Sequence, residues 1–125
     1  MNPTEAEESK TLVAYLRIKG LKFQHVPNET GSSPEAKRRA IRMKQQGTSR
    51  GFPDYLIIKD GQLIAIELKR LKRSVTSPEQ LEWLQALAAC GVQAAVCHGA
   101  AECITFIESI GIADNKVAQP ESTVF

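Results

Sequence analysis

Residues 54–68 constrain the fold of this chain more than any other stretch. Two runs rich in apolar and β-branched residues, Asp54-Tyr-Leu-Ile-Ile-Lys59 and Gln62-Leu-Ile-Ala-Ile-Glu67-Leu68, flank Asp60-Gly61. Asp-Gly between such runs signals a two-residue hairpin, because that turn needs positive φ at both central residues. With Asp60-Gly61 as the turn, Lys59 pairs with Gln62, and counting back sets Asp54 opposite Glu67. Cross-strand partners share a face, and Lys69, two residues past Glu67, joins it. Two carboxylates and an ammonium therefore meet at the open end of one hairpin.

The rest of the chain supplies helices around this hairpin. Thr4-Glu5-Ala6-Glu7 matches a capping box. Leu12, Val13 and Leu16 follow at helical spacing, and Gly20 closes the helix. Leu21 to Val26 reads as a strand, with Leu21, Phe23 and His25 on the apolar parity. A turn-rich loop over residues 27–33 leads to a helix from Pro34 to about Gln45 that is mostly charged. After the hairpin, Ser77 caps a helix with Pro78 at its first position and Gln80 at its third. Leu81, Leu84, Leu87 and Ala88 form its apolar stripe, and Gly91 ends it. Val92 to Cys97 reads as a short strand, and Ala100 to Ile110 as a last helix stopped by Gly111. The order of elements predicts an α/β fold, a mixed sheet flanked by helices. Residues 1–112 make one domain, and the tail over 113–125, which lacks periodicity, is expected to be loose or partly docked.

At 125 residues the chain supports one modest core. No apolar run approaches the length of a membrane span. The acidic, polar start MNPTEAEESK is not a secretory signal, so the expected location is the cytoplasm of a bacterium or a phage-infected cell. Cys90, Cys97 and Cys103 are odd in number and make no C-x-x-C, which argues against a disulfide framework and a structural zinc. Cys97-His98 lacks the further ligands that zinc requires. Net charge is only +2, but its distribution is uneven. Lys37, Arg38, Arg39, Arg42, Lys44 and Arg50 fall in one stretch, and Lys69, Arg70, Lys72 and Arg73 in another. Such patches suit phosphate, although a solvated charged face would look the same.

Two carboxylates side by side are unfavourable unless a cation lies between them. Magnesium, or manganese, is a natural occupant, since hard cations take carboxylate, carbonyl and water oxygens. Lys69 beside such an ion could hold a water or offset charge on a phosphate. On the residues alone, a surface ion-pair cluster explains the same pattern.

Pro53-Asp54, twelve intervening residues, then Glu67-Leu68-Lys69 resembles the PD-(D/E)xK nuclease signature. Gly51-Phe52-Pro53-Asp54, Ile66-Glu67-Leu68-Lys69 and Gln80-Leu-Glu-Trp83 look like the VRR-NUC branch of that superfamily. His25-Val-Pro-Asn28-Glu29 and the basic linker are similar to its phage-encoded stand-alone members. The resemblance spans roughly Glu5 to Ile110, and Leu68 stands where valine is more usual. It implies the restriction-endonuclease-like core, with Asp54, Glu67 and the Leu68 carbonyl as metal ligands and Lys69 as the catalytic lysine. Gln80 would lie beside the centre. A first-helix glutamate would join it, with Glu8 preferred over Glu5. The implied activity is a Mg2+- or Mn2+-dependent endonuclease on DNA, resembling Holliday-junction resolvases and working as a homodimer.

Arg38, Arg39, Arg42, Lys44 and Arg50 are the expected phosphate contacts. The helix from Pro34 to Gln45 and the residues Ile104, Ile107 and Ile110 are candidate dimer surfaces. His25 reads as a partly buried, satisfied histidine, and Trp83 as packed against the sheet rather than stacked on a base. Asn28 and Glu29 either approach the metal or serve a turn. Ser49 and Ser77 have no His–Asp partners that would suggest acyl transfer. Remaining alternatives are a monomeric nickase of flaps, an exonuclease, an RNA nuclease, a silent DNA-binding module and a metal-binding structural protein.

Overall fold

The computed structural model describes residues 3–27, 32–71, 75–111 and 123–124. Helix α1 (Glu5–Ile18) is followed by strand β1 (Lys22–His25) and helix α2 (Pro34–Gln45). The hairpin is β2 (Tyr55–Lys59) and β3 (Gln62–Lys69). Then come α3 (Pro78–Ala89), β4 (Gln93–His98), α4 (Ala100–Ser109) and β5 (Thr123–Val124). The sheet order is β1-β2-β3-β4-β5. β2 runs antiparallel to both β1 and β3, and β4 returns parallel to β3 after α3. The expected mixed sheet flanked by helices is present.

The hairpin register is the expected one. Lys59 pairs with Gln62 and Tyr55 with Ile66, which continues to Asp54 opposite Glu67. Asp60 and Gly61 both take positive φ, 51° and 74°, as a type I′ turn demands. The caps also form as read: Thr4 with Glu7, and Ser77 with Gln80, are complete capping boxes.

Strand alternation sorts the sheet residues to two faces. Tyr55, Ile57, Ile64, Ile66, Leu68, Ala95 and Cys97 pack with Leu12 and Leu16 of α1 and with Cys103, Phe106 and Ile107 of α4. On the other face Ala65, Ala94 and Val96 pack with Leu84 of α3. Glu67 and Lys69 share the parity of Ala65, so they emerge on the α3 face. The hairpin is further tied to the end of α4, where Lys59 Nζ donates to the Ile107 carbonyl (2.8 Å).

Three expectations are corrected. Ile107 and Ile110 are buried in the main core and Ile104 packs against it, so this row is internal and offers no dimer surface. The reason is that α4 lies between α1 and the inner strands β3 and β4, which covers its apolar side. His25 is exposed, because β1 is the edge strand, and it stacks on Tyr55 with ring centroids 4.7 Å apart. Trp83 stands outside both apolar clusters. At the tail, Thr123–Val124 pairs antiparallel with Ala95 and Val96. Asn28, Glu29, Lys72, Arg73 and residues 112–122 lie outside the described residues. Among the described residues, no helix is long and apolar enough to cross a membrane.

Candidate active site

The hairpin register brings Asp54 and Glu67 together just before β2 and near the end of β3. Both are buried, with Glu67 only 2% exposed. Asp54 Oδ2 accepts the Leu68 N–H at 3.0 Å, which fixes its carboxylate against the neighbouring strand. Glu67 Oε2 accepts from the Gln80 side-chain amide at 2.9 Å and lies 3.5 Å from the Lys69 ammonium. Glu67 Oε1 is buried and finds no hydrogen-bond partner.

Gln80 holds this geometry from both ends of its amide. Its oxygen accepts the Ser77 N–H at 2.9 Å, and its nitrogen donates to Glu67. The capping box that starts α3 therefore also aims a donor at the carboxylate pair. The loop before Asp54 is seated on the same helix turn. Gly51 takes φ +89°, and a Cβ there would lie 2.7 Å from the Glu79 carbonyl carbon. Only glycine allows that approach, and Pro53, two residues on, is fully buried.

The electrostatics of the pair are unfavourable for two anions. Burial, and then the Asp54 charge, push Glu67 up to about 8, against the opposing pull of Lys69. Burial also raises Asp54, although the Leu68 N–H, Glu67, Lys69 and His25 all act to lower it. Burial thus favours retention of a proton by the pair as a unit.

The residues fit a hard divalent cation. A buried carboxylate oxygen with no partner costs free energy that a cation would relieve, and the donor set is all oxygen. Asp54 and Glu67 are the acidic groups that would hold it. Among the described residues, no group of three His, Cys, Asp or Glu side chains forms a complete metal-holding cluster.

The structure does not bring Glu8 to Asp54 and Glu67. Glu8 lies on α1, on the opposite face of the sheet, and its Oε1 accepts the Ala100 N–H at 3.0 Å. Helix α4 starts at Gly99, which has no side chain to cap it, so Glu8 supplies the missing acceptor across the fold. Glu8, Leu12 and Leu16 fall four residues apart, and that spacing marks Glu8 as inward-facing. Glu5 is exposed. The Leu68 side chain is in the core. Ser9 and Tyr55 join their hydroxyls by a hydrogen bond beneath His25.

The basic residues lie on α2 and on the loop before Gly51. Arg38, Arg39, Arg42 and Lys44 are all exposed on α2, whose only buried residue is Ala36. Arg50 lies beside the first turns of α3 and lines a groove with Trp83. That groove was not foreseen from the sequence. A tryptophan three residues after Gln80 was its available signal.

No curated protein matches this chain at a significant level. One solved structure, a VRR-NUC domain protein, superposes with a TM-score of 0.71 over 87% of this chain and 88% of its own, at 24% identity. That likeness speaks to the fold. The VRR-NUC domain family matches residues 5–101, a span that holds the Asp54–Glu67 hairpin and the Gln80 turn, and the chain belongs to that family.

Proposed function

We propose that this chain is a metal-dependent endonuclease that hydrolyses DNA phosphodiester bonds, preferring branched substrates. A VRR-NUC domain is a nuclease-type domain. The observation that carries the finer reading is the buried Asp54–Glu67 pair, with its unpartnered Oε1 and a lysine at 3.5 Å. Asp54, Glu67 and the Leu68 carbonyl would hold magnesium or manganese. When bound, such an ion supplies charge to the phosphate oxygens and acidifies a coordinated water. Lys69 presents an ammonium beside Glu67, where it can orient a water or meet charge on the phosphate. Gln80 keeps Glu67 turned toward the pair. Incubating the purified protein with labelled linear, flapped and four-way DNA, with magnesium, manganese or EDTA, tests this reading. Cleavage that persists in EDTA, or none with either metal, would overturn it.

Each chain carries one such centre, whereas resolving a four-way junction takes two cuts on opposing strands. A twofold homodimer would present two centres matched to the junction's own symmetry. With the α4 isoleucines internal, α2 is the candidate dimer surface that stays exposed. A monomeric mass by light scattering, with flap cleavage and no paired junction cuts, would leave a structure-directed nickase instead.

The exposed basic face of α2 should bind phosphates. Arg38 and Arg42 are one turn apart on the same side of the helix. Replacing both with glutamine is expected to weaken binding to all DNA sequences alike. It should also flatten the dependence of log Kd on log salt by roughly two, one for each lost contact. An unchanged salt slope would show that this face points away from the substrate.

A further inference from the structure

The loop ending at Gly51 and the first turns of helix α3, which also carry Gln80, line a shallow open groove of about 380 Å³. Ser49 and Arg50 form one bank, and Glu79, Glu82 and Trp83 form the other. Trp83 is half-buried and meets Phe52 edge-on, with ring centroids 4.9 Å apart and planes 76° apart. Its ring is therefore held in one orientation without being absorbed into either core cluster. Trp83 lies three residues beyond Gln80, so both side chains issue from one side of α3. The banks are fixed relative to each other, because the Gly51 backbone is pressed against Glu79.

The chemistry of this groove selects its occupant. Two carboxylates exclude a phosphate from the α3 bank but accept hydrogen bonds from N–H groups. An indole offers a stacking surface to any base. Arg50, on the opposite bank, offers a cation where the adjoining backbone would pass. We propose that the groove is a base subsite: it receives an unpaired nucleobase of the strand being cut, stacked on Trp83. Glu79 and Glu82 favour bases that carry amino donors, such as cytosine, over thymine. The inference rests on the nuclease reading for the strand's identity, and it makes Trp83 and the two glutamates determinants of specificity. It also fits flapped DNA, whose single-stranded arm exposes unpaired bases.

Trp83 is the chain's single tryptophan, so its fluorescence reports on the groove directly. The wild-type protein in EDTA is titrated with single-stranded oligo-dC, oligo-dT and an abasic strand of equal length and charge. The base-bearing strands should quench the emission and the abasic strand should not. By anisotropy of labelled strands, Trp83→Ala should bind oligo-dC roughly five- to a hundredfold more weakly, while Trp83→Phe keeps most of the affinity. The Glu79→Gln, Glu82→Gln double variant should lose the preference for oligo-dC over oligo-dT. Equal binding and quenching by abasic and base-bearing strands would overturn the subsite, and that comparison needs no variant to fold. Cleavage of branched DNA without base-dependent quenching would reject the subsite alone. Base-dependent quenching without any metal-dependent cleavage would reject the nuclease reading and keep the subsite.

Discussion

Lys69→Ala is expected to abolish cleavage while leaving magnesium binding nearly unchanged, and Asp54→Ala to abolish both. The two residues meet at the same hairpin mouth but do different work. Asp54 contributes a carboxylate to the pair. Lys69 contributes only a positive charge, 3.5 Å from Glu67 Oε2. Loss of a single group that stabilises developing charge commonly lowers turnover by about 10² to 10³. Losing an ion-holding carboxylate should cost at least that. Asp54 also accepts the buried Leu68 N–H, so alanine leaves an unpaired donor, worth roughly 1–3 kcal/mol. Asp54→Asn separates the two effects, since its amide oxygen still accepts that N–H while the charge is gone. Calorimetric titration with magnesium, thermal denaturation and cleavage assays on the three variants decide the matter. Retained magnesium-dependent cleavage in Lys69→Ala or Asp54→Asn would remove these residues from the active site.

Most of this site was legible because it rests on local rules. Asp60-Gly61 sets the turn, the turn sets the register, and the register sets Asp54 against Glu67. The Ser77 capping box was equally legible, and it carried Gln80 to Glu67. What escaped depends on which face of the fold covers an element. His25 has the apolar parity, but parity cannot reveal that β1 is an edge strand. Ile104, Ile107 and Ile110 read as a free apolar row until α4 is placed against α1. The family resemblance offers Glu8 as the first-helix acid, and the sequence holds no sign of the bond its carboxylate accepts from the Ala100 N–H, 92 residues away. The stripe Glu8 shares with Leu12 and Leu16 shows that it turns inward, but not onto what. Trp83 read as core because tryptophan is usually buried against something. The loop carrying Phe52 and Arg50 supplies that contact, at the rim of a groove.

Without a divalent cation, the thermal midpoint of the protein should fall as pH rises from about 5 to 8. Glu67 is raised from 4.5 to about 8 in the folded state. Below the lower value both folded and unfolded chains hold the proton, and this group costs nothing. Between the two values the unfolded chain releases its proton while the folded chain keeps it, so the unfolded state gains. Stability from this source is fully present in acid and is lost as pH climbs through the folded value. Asp54 is raised as well and acts in the same direction. Even half of the Glu67 shift corresponds to roughly 2 kcal/mol, or about 5–10 °C in a domain of this size. Glu67→Gln keeps an oxygen that can accept from Gln80 but has nothing to titrate. It should therefore be the more stable form at pH 8 and show a flatter profile. Magnesium should restore the wild type at pH 8, since a ligand that binds only the folded state stabilises it, and should raise Glu67→Gln far less. Parallel pH profiles for the two proteins in EDTA, or equal stabilisation of both by magnesium, would show that the strain at the hairpin mouth lies somewhere other than in this carboxylate pair.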